Sequence, residues 1–162
     1  MALREIRLDG DPILRKKSKE ITKINDRIKT LLDDMVETMN EANGVGLAAP
    51  QVGILRRAVV IDVGEGVIKL INPEIIEANG AIIDLEGCLS VPNLNGKVER
   101  PEKVKVRFMD NNGDMKIIEA TDFFARAICH EIDHLDGILY TDKAIEIFSV
   151  EEEEEVEVQE EE

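Results

Sequence analysis

Both histidines of this 162-residue chain lie in one pentapeptide, His130-Glu131-Ile132-Asp133-His134. The flanking residues predict a helix over about 123–134, because Thr121 or Asp122 can cap its start and Asp136-Gly137 can end it. Side chains four residues apart lie on one face of a helix. The two imidazoles can therefore bind one metal ion, with the carboxylate of Glu131 beside them. The pattern requires a helix here and predicts a metal site on it.

A catalytic metal site of this kind needs a third protein ligand. Downstream of the helix, Glu146 and the glutamates of 151–155 could supply it, as they do in some metallopeptidases. Upstream, Cys88 follows a glycine at the end of a predicted strand. A thiolate binds a borderline-soft ion more strongly than a carboxylate in an acidic tail does. The residue types favour Cys88 and leave the downstream carboxylates open.

The remaining segments predict an α+β fold, with antiparallel or mixed β-sheets around the helix that carries the histidines. Apolar residues recur at helical spacing over 26–43, which predicts an amphipathic helix near the N-terminus. Short β-branched runs follow at 58–61 and 67–71, and residues 104–108 alternate with the period of a strand. The dipeptide Asn79-Gly80 between two apolar runs is a strong signal for a β-hairpin.

A segment of small residues, GVGLAAPQ at 44–51, follows the first predicted helix. Its glycines match the spacing of a dinucleotide-binding loop. Such a loop follows a strand and opens a helix, whereas this segment follows a helix and contains Pro50. It therefore predicts a place where another backbone can approach closely, with the amide of Gln51 at its end.

The net charge of −15 is concentrated at the C-terminus. Residues 151–162 hold nine glutamates and no basic residue, which leaves −6 for residues 1–150. We expect one domain over 1–150 and a disordered or frayed acidic tail over 151–162. This charge, with no tryptophan and one tyrosine, argues against direct nucleic-acid binding. No apolar run reaches the roughly 20 residues of a membrane span, and no secretory signal begins the chain, so we expect a cytoplasmic protein that does not enter a membrane.

Three motifs together resemble the peptide deformylases, metallohydrolases that remove the formyl group from the N-terminal formyl-methionine of new polypeptides. They are, in order, GVGLAAPQ at 44–51, EGCLS at 86–90 and HEIDHLDG at 130–137. The resemblance covers about residues 1–145. It implies one divalent metal ion, Fe²⁺ in the cell with Zn²⁺, Ni²⁺ or Co²⁺ as alternatives. The ligands that it implies are Cys88, His130 and His134.

The resemblance also implies how such a site works. Glu131 is the general acid and base that takes a proton from an activated water and passes it to the leaving amine. The side-chain amide of Gln51 and the backbone N–H of Leu89 stabilise the oxyanion. An apolar pocket receives the methionine side chain, and a small-residue strand pairs with the peptide backbone. The expected substrate-binding residues are Val45, Gly46, Glu86, Phe123 and Ala127.

Two other functions fit parts of the same pattern. An HExxH metallopeptidase would take its third ligand downstream of His134 and would leave Cys88 without a role. A non-catalytic metal-binding module associated with the ribosome would use the acidic tail as its interaction arm and would not depend on Glu131. For the deformylase, the expected partners are formylmethionyl peptides emerging from the ribosome, and a basic ribosomal protein for the tail.

Overall fold

Residues 2–150, the part of the chain that this computed structural model describes, form two antiparallel sheets, three α-helices and two short 3₁₀ helices, Pro12–Arg15 and Ala49–Val52. The helices are α1 (Asp26–Glu41), α2 (Asp122–Leu135) and the short α3 (Tyr140–Lys143). The strands are β1 (Gly46–Ala48), β2 (Ala58–Ile61), β3 (Ile68–Asn79), β4 (Ile82–Cys88), β5 (Val91–Arg100), β6 (Lys103–Met109), β7 (Met115–Thr121) and β8 (Glu146–Ser149). The α+β prediction with antiparallel sheets is confirmed. The acidic tail predicted over 151–162 lies outside the described residues.

The sheets differ in size and share one helix between them. The larger sheet has the strand order β1-β2-β3-β6-β7, and the smaller has the order β4-β5-β8. Helix α2 contacts strands of both sheets. Its apolar residues Ala125, Ile128 and Ile132 are buried in a core with residues of the larger sheet. The opposite side of α2 is therefore available to meet β4 and β5.

Helix α1 covers the other face of the larger sheet. Asn25 caps it by accepting a hydrogen bond from the backbone N–H of Ile28 at 3.1 Å. The apolar positions spaced three and four residues apart are buried against β1 and β2. At its end, Asn43 adopts the left-handed conformation with φ of 58°. This turn leads the chain directly from α1 into β1.

The prediction of a β-hairpin at Asn79-Gly80 is wrong, because the two strands that flank this turn do not pair with each other. Strand β3 pairs with β6, whereas β4 pairs with β5, so this turn carries the chain from one sheet to the other. Gly80 does adopt a positive φ of 74°, as a tight turn of this type requires. A turn signal constrains the local backbone only, and the partner of each strand is decided by which apolar faces must be covered.

Strand β3 also merges two runs that the sequence separates. It continues through Asn72, where φ is 50° and the register with β6 shifts. The Asn72 side chain accepts from the N–H of Ile21 and donates to its carbonyl, each at 2.8 Å. Those two bonds anchor the N-terminal segment to the sheet. Within residues 2–150, no helix combines the length and the hydropathy that a bilayer span needs.

Candidate active site

Helix α2 and strand β4 bring three metal-binding side chains together. The Nε2 atoms of His130 and His134 are 3.3 Å apart, and the Sγ of Cys88 lies 3.3 Å from the Nε2 of His134. All three ligand atoms lie within 4.8 Å of one another. Cys88 ends β4, and the histidines are one turn apart on α2, so the cluster depends on how the helix packs against the smaller sheet.

The spacing of these atoms fits a tetrahedral metal ion. Metal–nitrogen bonds of about 2.05 Å and a metal–sulfur bond of about 2.3 Å would separate two nitrogens by about 3.3 Å, and nitrogen from sulfur by about 3.6 Å. The nitrogen pair matches this separation, and the nitrogen–sulfur distance is a few tenths of an ångström shorter. One thiolate and two imidazoles suit Fe²⁺, Zn²⁺, Co²⁺ or Ni²⁺ and do not suit Mg²⁺ or Ca²⁺, which prefer oxygen ligands.

The downstream carboxylates lie elsewhere or outside the described residues. Glu146 is exposed on β8, and its carboxylate is 3.6 Å from the Nζ of Lys97. The glutamates of 151–155 are not described. Within residues 2–150, the group of side chains placed to hold an ion consists of Cys88, His130 and His134. The structure therefore supports the upstream cysteine as the third ligand.

Glu131 is buried beside this cluster without a partner for one of its oxygens. The residue is 4% exposed, and its Oε1 has no hydrogen bond within the described part of the chain. That atom is 3.9 Å from the Nε2 of His134. Burial raises the pKa of Glu131 to about 7, with a contribution from the negative charge of Glu86. A carboxyl group with this pKa can both accept and return a proton near neutral pH.

Strand β1 passes directly over Glu131. A Cβ atom placed on Gly46 would lie 2.9 Å from both the Cγ and the Cδ of Glu131, and closer still to its Oε2. Such contacts are shorter than real Cβ atoms make. The small-residue segment therefore does provide a close approach, and what approaches Gly46 is the side chain of Glu131.

The carboxylate of Glu86 accepts four hydrogen bonds, two at each oxygen. Its Oε1 accepts from Nδ1 of His130 and Nη2 of Arg100, both at 2.9 Å. Its Oε2 accepts from Nε of Arg100 at 2.8 Å and from Nη1 of Arg126 at 2.7 Å. Burial opposes ionisation, but the hydrogen bonds from Arg100 and His130 outweigh it and lower the pKa of Glu86 to about 2.

This ionisation fixes the tautomer of His130. An ionised carboxylate can only accept hydrogen bonds, so Nδ1 of His130 must donate to Glu86. The lone pair on Nε2 is then directed at Cys88 and His134. The family resemblance implies that Glu86 binds substrate. Its side chain lines the cavity, and its four hydrogen bonds, from His130, Arg100 and Arg126, also place it as a support for His130.

Sequence reasoning missed the arginines around Glu86. Arg126 lies between Ala125 and Ala127 on α2 and is 5% exposed, and Arg100 is 3% exposed. An arginine on a helix face predicted to be buried requires an anionic partner, and this was the available signal. The sequence could not identify that partner, because Glu86 precedes Arg126 by 40 residues.

Gln51 is held in one orientation by both ends of its amide. Its Oε1 accepts from the N–H of Ala48 at 2.9 Å, and its Nε2 donates to the Oγ of Ser90 at 3.0 Å. The same Nε2 is 3.6 Å from the Sγ of Cys88. Leu89 packs close to Gly44, where an added Cβ would lie 2.7 Å from the Leu89 Cδ1. The amide donor of Gln51 therefore points towards the ligand cluster.

One cavity of about 370 Å³ connects these groups. Its walls include every site residue expected from the sequence except His134, which is 1% exposed and does not line it. The exposed residues that line the cavity are uncharged, and the charged ones are buried. The expected substrate-binding residues on these walls are Val45, Gly46, Glu86, Phe123 and Ala127.

Comparisons with known proteins agree with this geometry. Residues 3–149 match a family model described as polypeptide deformylase. The chain is 65% identical to a peptide deformylase of Alkaliphilus metalliredigens, over 90% of this chain and 99% of the relative. It is 61% identical to one of Caldicellulosiruptor bescii, over 94% and 92% of the two chains.

Solved structures of similar proteins show the same fold. The peptide deformylase of Thermotoga maritima superposes with a TM-score of 0.87 at 42% identity, covering 89% of this chain and 99% of that one. The peptide deformylase of Synechococcus elongatus in complex with actinonin superposes with a TM-score of 0.86 at 40% identity, covering 88% and 79%.

Proposed function

The chain belongs to the polypeptide deformylase family, and we propose from its geometry how its residues carry out the family's reaction. It is a metal-dependent hydrolase that removes the formyl group from nascent peptides. The observation that carries the mechanism is a three-atom ligand cluster beside a buried carboxylate oxygen without a partner. The match of the family model to residues 3–149 favours deformylation over the activity of a metallopeptidase or the role of a non-catalytic module.

Cys88, His130 and His134 hold the metal ion in this proposal. A divalent ion there supplies Lewis-acid activation of a water nucleophile. We propose Fe²⁺ as the ion in the cell, while the same ligands suit Zn²⁺, Ni²⁺ or Co²⁺. Glu86 contributes by keeping Nε2 of His130 free to bind.

Glu131 moves the proton. Its unpartnered Oε1 accepts a proton from the water as the formyl carbon is attacked, and the resulting carboxylic acid returns that proton to the leaving amine. Formate and a free amino terminus are the products. Burial raises the pKa of Glu131 above the usual range of a glutamate in the metal-free protein, which favours return of the proton to the leaving amine.

Gln51 and Leu89 stabilise the charge that develops on the formyl oxygen. The Gln51 amide is fixed by Ala48 and Ser90, so it does not have to reorganise during the reaction. The backbone N–H of Leu89 is the second donor. One preorganised donor of this kind is typically worth about 3 kcal/mol of barrier.

The cavity accounts for recognition of the substrate's first residue. Val45, Phe123 and Ala127 form apolar walls that suit the methionine side chain. Gly46 begins β1, an edge strand of the larger sheet, which supports pairing of the peptide with it as an added strand; such pairing tolerates varied side chains further along. Because the substrates are nascent chains, we place the enzyme in the cytoplasm near ribosomes, with the acidic tail a candidate to contact a basic ribosomal protein.

Formate release from a formyl-methionyl peptide tests the mechanism. The protein is prepared anaerobically with Fe²⁺, then stripped with a chelator and reloaded with Fe²⁺, Zn²⁺, Co²⁺ or Ni²⁺. We expect activity to disappear on stripping and to return on reloading. Glu131→Gln should keep the bound metal and lose at least about 10²-fold in kcat, because only proton transfer is removed.

Variants of the possible ligands separate the mechanisms. Cys88→Ala should lose both metal and activity, whereas Glu146→Gln, which changes an exposed carboxylate, should behave as the unsubstituted chain does. Retention of metal and activity by Cys88→Ala would refute the ligand assignment. Full activity of Glu131→Gln would refute its role in proton transfer.

A further inference from the structure

Arg126 is a buried charge on α2 that the proposed reaction does not use. It lies one turn before His130, so the two side chains share a helix face. Its side chain is 6% exposed. Burying a guanidinium is costly unless its donors are satisfied, so its position needs a structural reason.

The guanidinium of Arg126 joins two of the three strands of the smaller sheet, β4 and β5, to one carboxylate. Its Nη1 donates to the Oε2 of Glu86 at 2.7 Å and to the carbonyl of Val98 at 2.8 Å. Its Nη2 donates to the carbonyl of Ile82 at 2.7 Å. Ile82 belongs to β4 and Val98 to β5. One side chain of α2 is thus bonded to the main chain of both neighbouring strands.

Arg100 approaches the same carboxylate with a different second partner. Its Nε and Nη2 donate to Glu86, and its Nη1 donates to Asp133 of α2 at 2.6 Å. Arg100 therefore ties β5 to the helix through side chains. Arg126 ties the helix to the strand backbones, which cannot change rotamer. Glu86 is itself a residue of β4. Its carboxylate is held in place by Arg126, because the Arg126 guanidinium is fixed by its bonds to the main chains of β4 and β5.

We propose that Arg126 is a positioning residue for the metal site, holding Glu86 in place so that Glu86 fixes His130 with Nε2 towards the other ligands. The inference rests on the metal site proposed above. Cys88 is on β4 and both histidines are on α2, so the three ligand atoms keep their separation only while the helix keeps its place on that strand. Arg126 adds to this placement the side-chain bonds that run from α2 to the main chains of β4 and β5.

Metal affinity tests the proposal without relying on turnover. Arg126→Met removes the charged fork and keeps most of the apolar stem. Affinity for Zn²⁺ and Co²⁺ is measured by competition with a chromophoric chelator, and the Co²⁺ absorption spectrum reports the ligand geometry. We expect an affinity loss of about 10- to 100-fold, as is typical when a residue supporting a ligand is removed, and a changed Co²⁺ spectrum. Arg126→Lys keeps the charge without the fork and should fall between.

Arg57→Met is the matched control. Arg57 donates to the carbonyl of Leu135 at 3.2 Å and to Asp136 at 3.0 Å, so it also ties α2 to the fold, but at the end away from Glu86. We expect this variant to lose stability and to keep its metal affinity and Co²⁺ spectrum.

The double variant Arg126→Met/Glu86→Gln identifies the route of the effect. If Arg126 acts through Glu86, the two losses of affinity should not multiply. Independent, multiplicative losses would overturn the proposal, as would an Arg126→Met variant whose affinity and spectrum equal those of Arg57→Met. Arg126→Lys carries the same comparison if Arg126→Met does not fold. Failure of the unsubstituted chain to bind metal through Cys88 would instead refute the proposed site itself.

Discussion

Two glutamates in the active site have opposite ionisation behaviour although both are buried. Glu86 receives hydrogen bonds from two arginines and a histidine, and those from Arg100 and His130 outweigh its burial and lower its pKa to about 2. Glu131 has an oxygen without a partner, and burial raises its pKa to about 7. Environment thus separates a permanent anion that positions a ligand from a group that can exchange a proton.

The low pKa of Glu86 predicts acid-sensitive folding. Because its pKa falls from 4.5 to about 2 on folding, the ionised form stabilises the metal-free protein above pH 4.5. That contribution, of the order of 3 kcal/mol, is lost as pH falls from about 4.5 to 2. Urea unfolding at several pH values measures it. Glu86→Gln should flatten this part of the curve, while Glu146→Gln should not; an equally steep curve for Glu86→Gln would contradict the prediction.

Gly46 should be intolerant of even one added carbon. The Cβ of Gly46→Ala would overlap the Glu131 carboxylate and displace it, so we expect kcat to fall by about 10²-fold or more, the share typical of acid–base catalysis. Gly44→Ala is the comparison, because its Cβ would meet the movable end of the Leu89 side chain and should cost less. Steady-state kinetics with circular dichroism distinguishes the two. Equal losses would show that Glu131 is not the sensitive contact.

At the scale of elements, α2 and β4 build the site together. Alternate residues of a strand face the same way, so Glu86 and Cys88 both point to α2. The register between β4 and β5 shifts between these two residues, and such irregularities re-aim side chains. Gly87 lies between them, and an added Cβ there would lie 2.7 Å from the Asn95 Oδ1. The end of β4 is shaped by these local features.

Metal removal should loosen this pair of elements selectively. An ion held by Cys88, His130 and His134, as proposed, would join the end of β4 to α2, and its binding would stabilise the folded arrangement by linkage. We expect addition of a chelator to speed up amide hydrogen exchange at 86–91 and 128–135 and to leave exchange in the β6–β7 hairpin unchanged. Cys88→Ala should show no chelator effect. A uniform change across the chain would indicate that the metal stabilises the whole fold rather than this junction.

At the scale of the whole molecule, most of the net charge lies outside the part of the chain that matches the family. The nine glutamates of residues 151–162 lie beyond the family match, which ends at residue 149. A chain ending at Val150 should therefore fold and retain kcat/KM for a short formyl-methionyl peptide within about twofold, because the site residues precede that point. Loss of folding or of activity would show that the tail belongs to the domain. The boundary at 150 stays a prediction until then.

How much the sequence could predict depends on the range of the interaction. Helical spacing over 26–43 located α1 closely, and alternation over 104–108 located β6, because periodicity reflects which face of an element is buried. The β-branched run at 58–61 coincides with β2. The Asn79-Gly80 turn connects β3 to β4, but β3 pairs with β6. That pairing was not predictable from the turn, because it depends on where a strand distant in sequence lies. The sheet assignment of β4, and hence the position of Cys88, follows from the same long-range packing.

The amino-acid sequence by itself indicated the chemistry of this protein. Two histidines and a glutamate at helical spacing, and a cysteine after a glycine, restrict the metal and the reaction, because ligand type and helix geometry are local properties. The tertiary structure alone decided that Glu86 supports His130, and that Arg126 joins Glu86 to two strands. Those roles come from hydrogen bonds spanning about 40 residues, and no local pattern specifies which buried charges will meet.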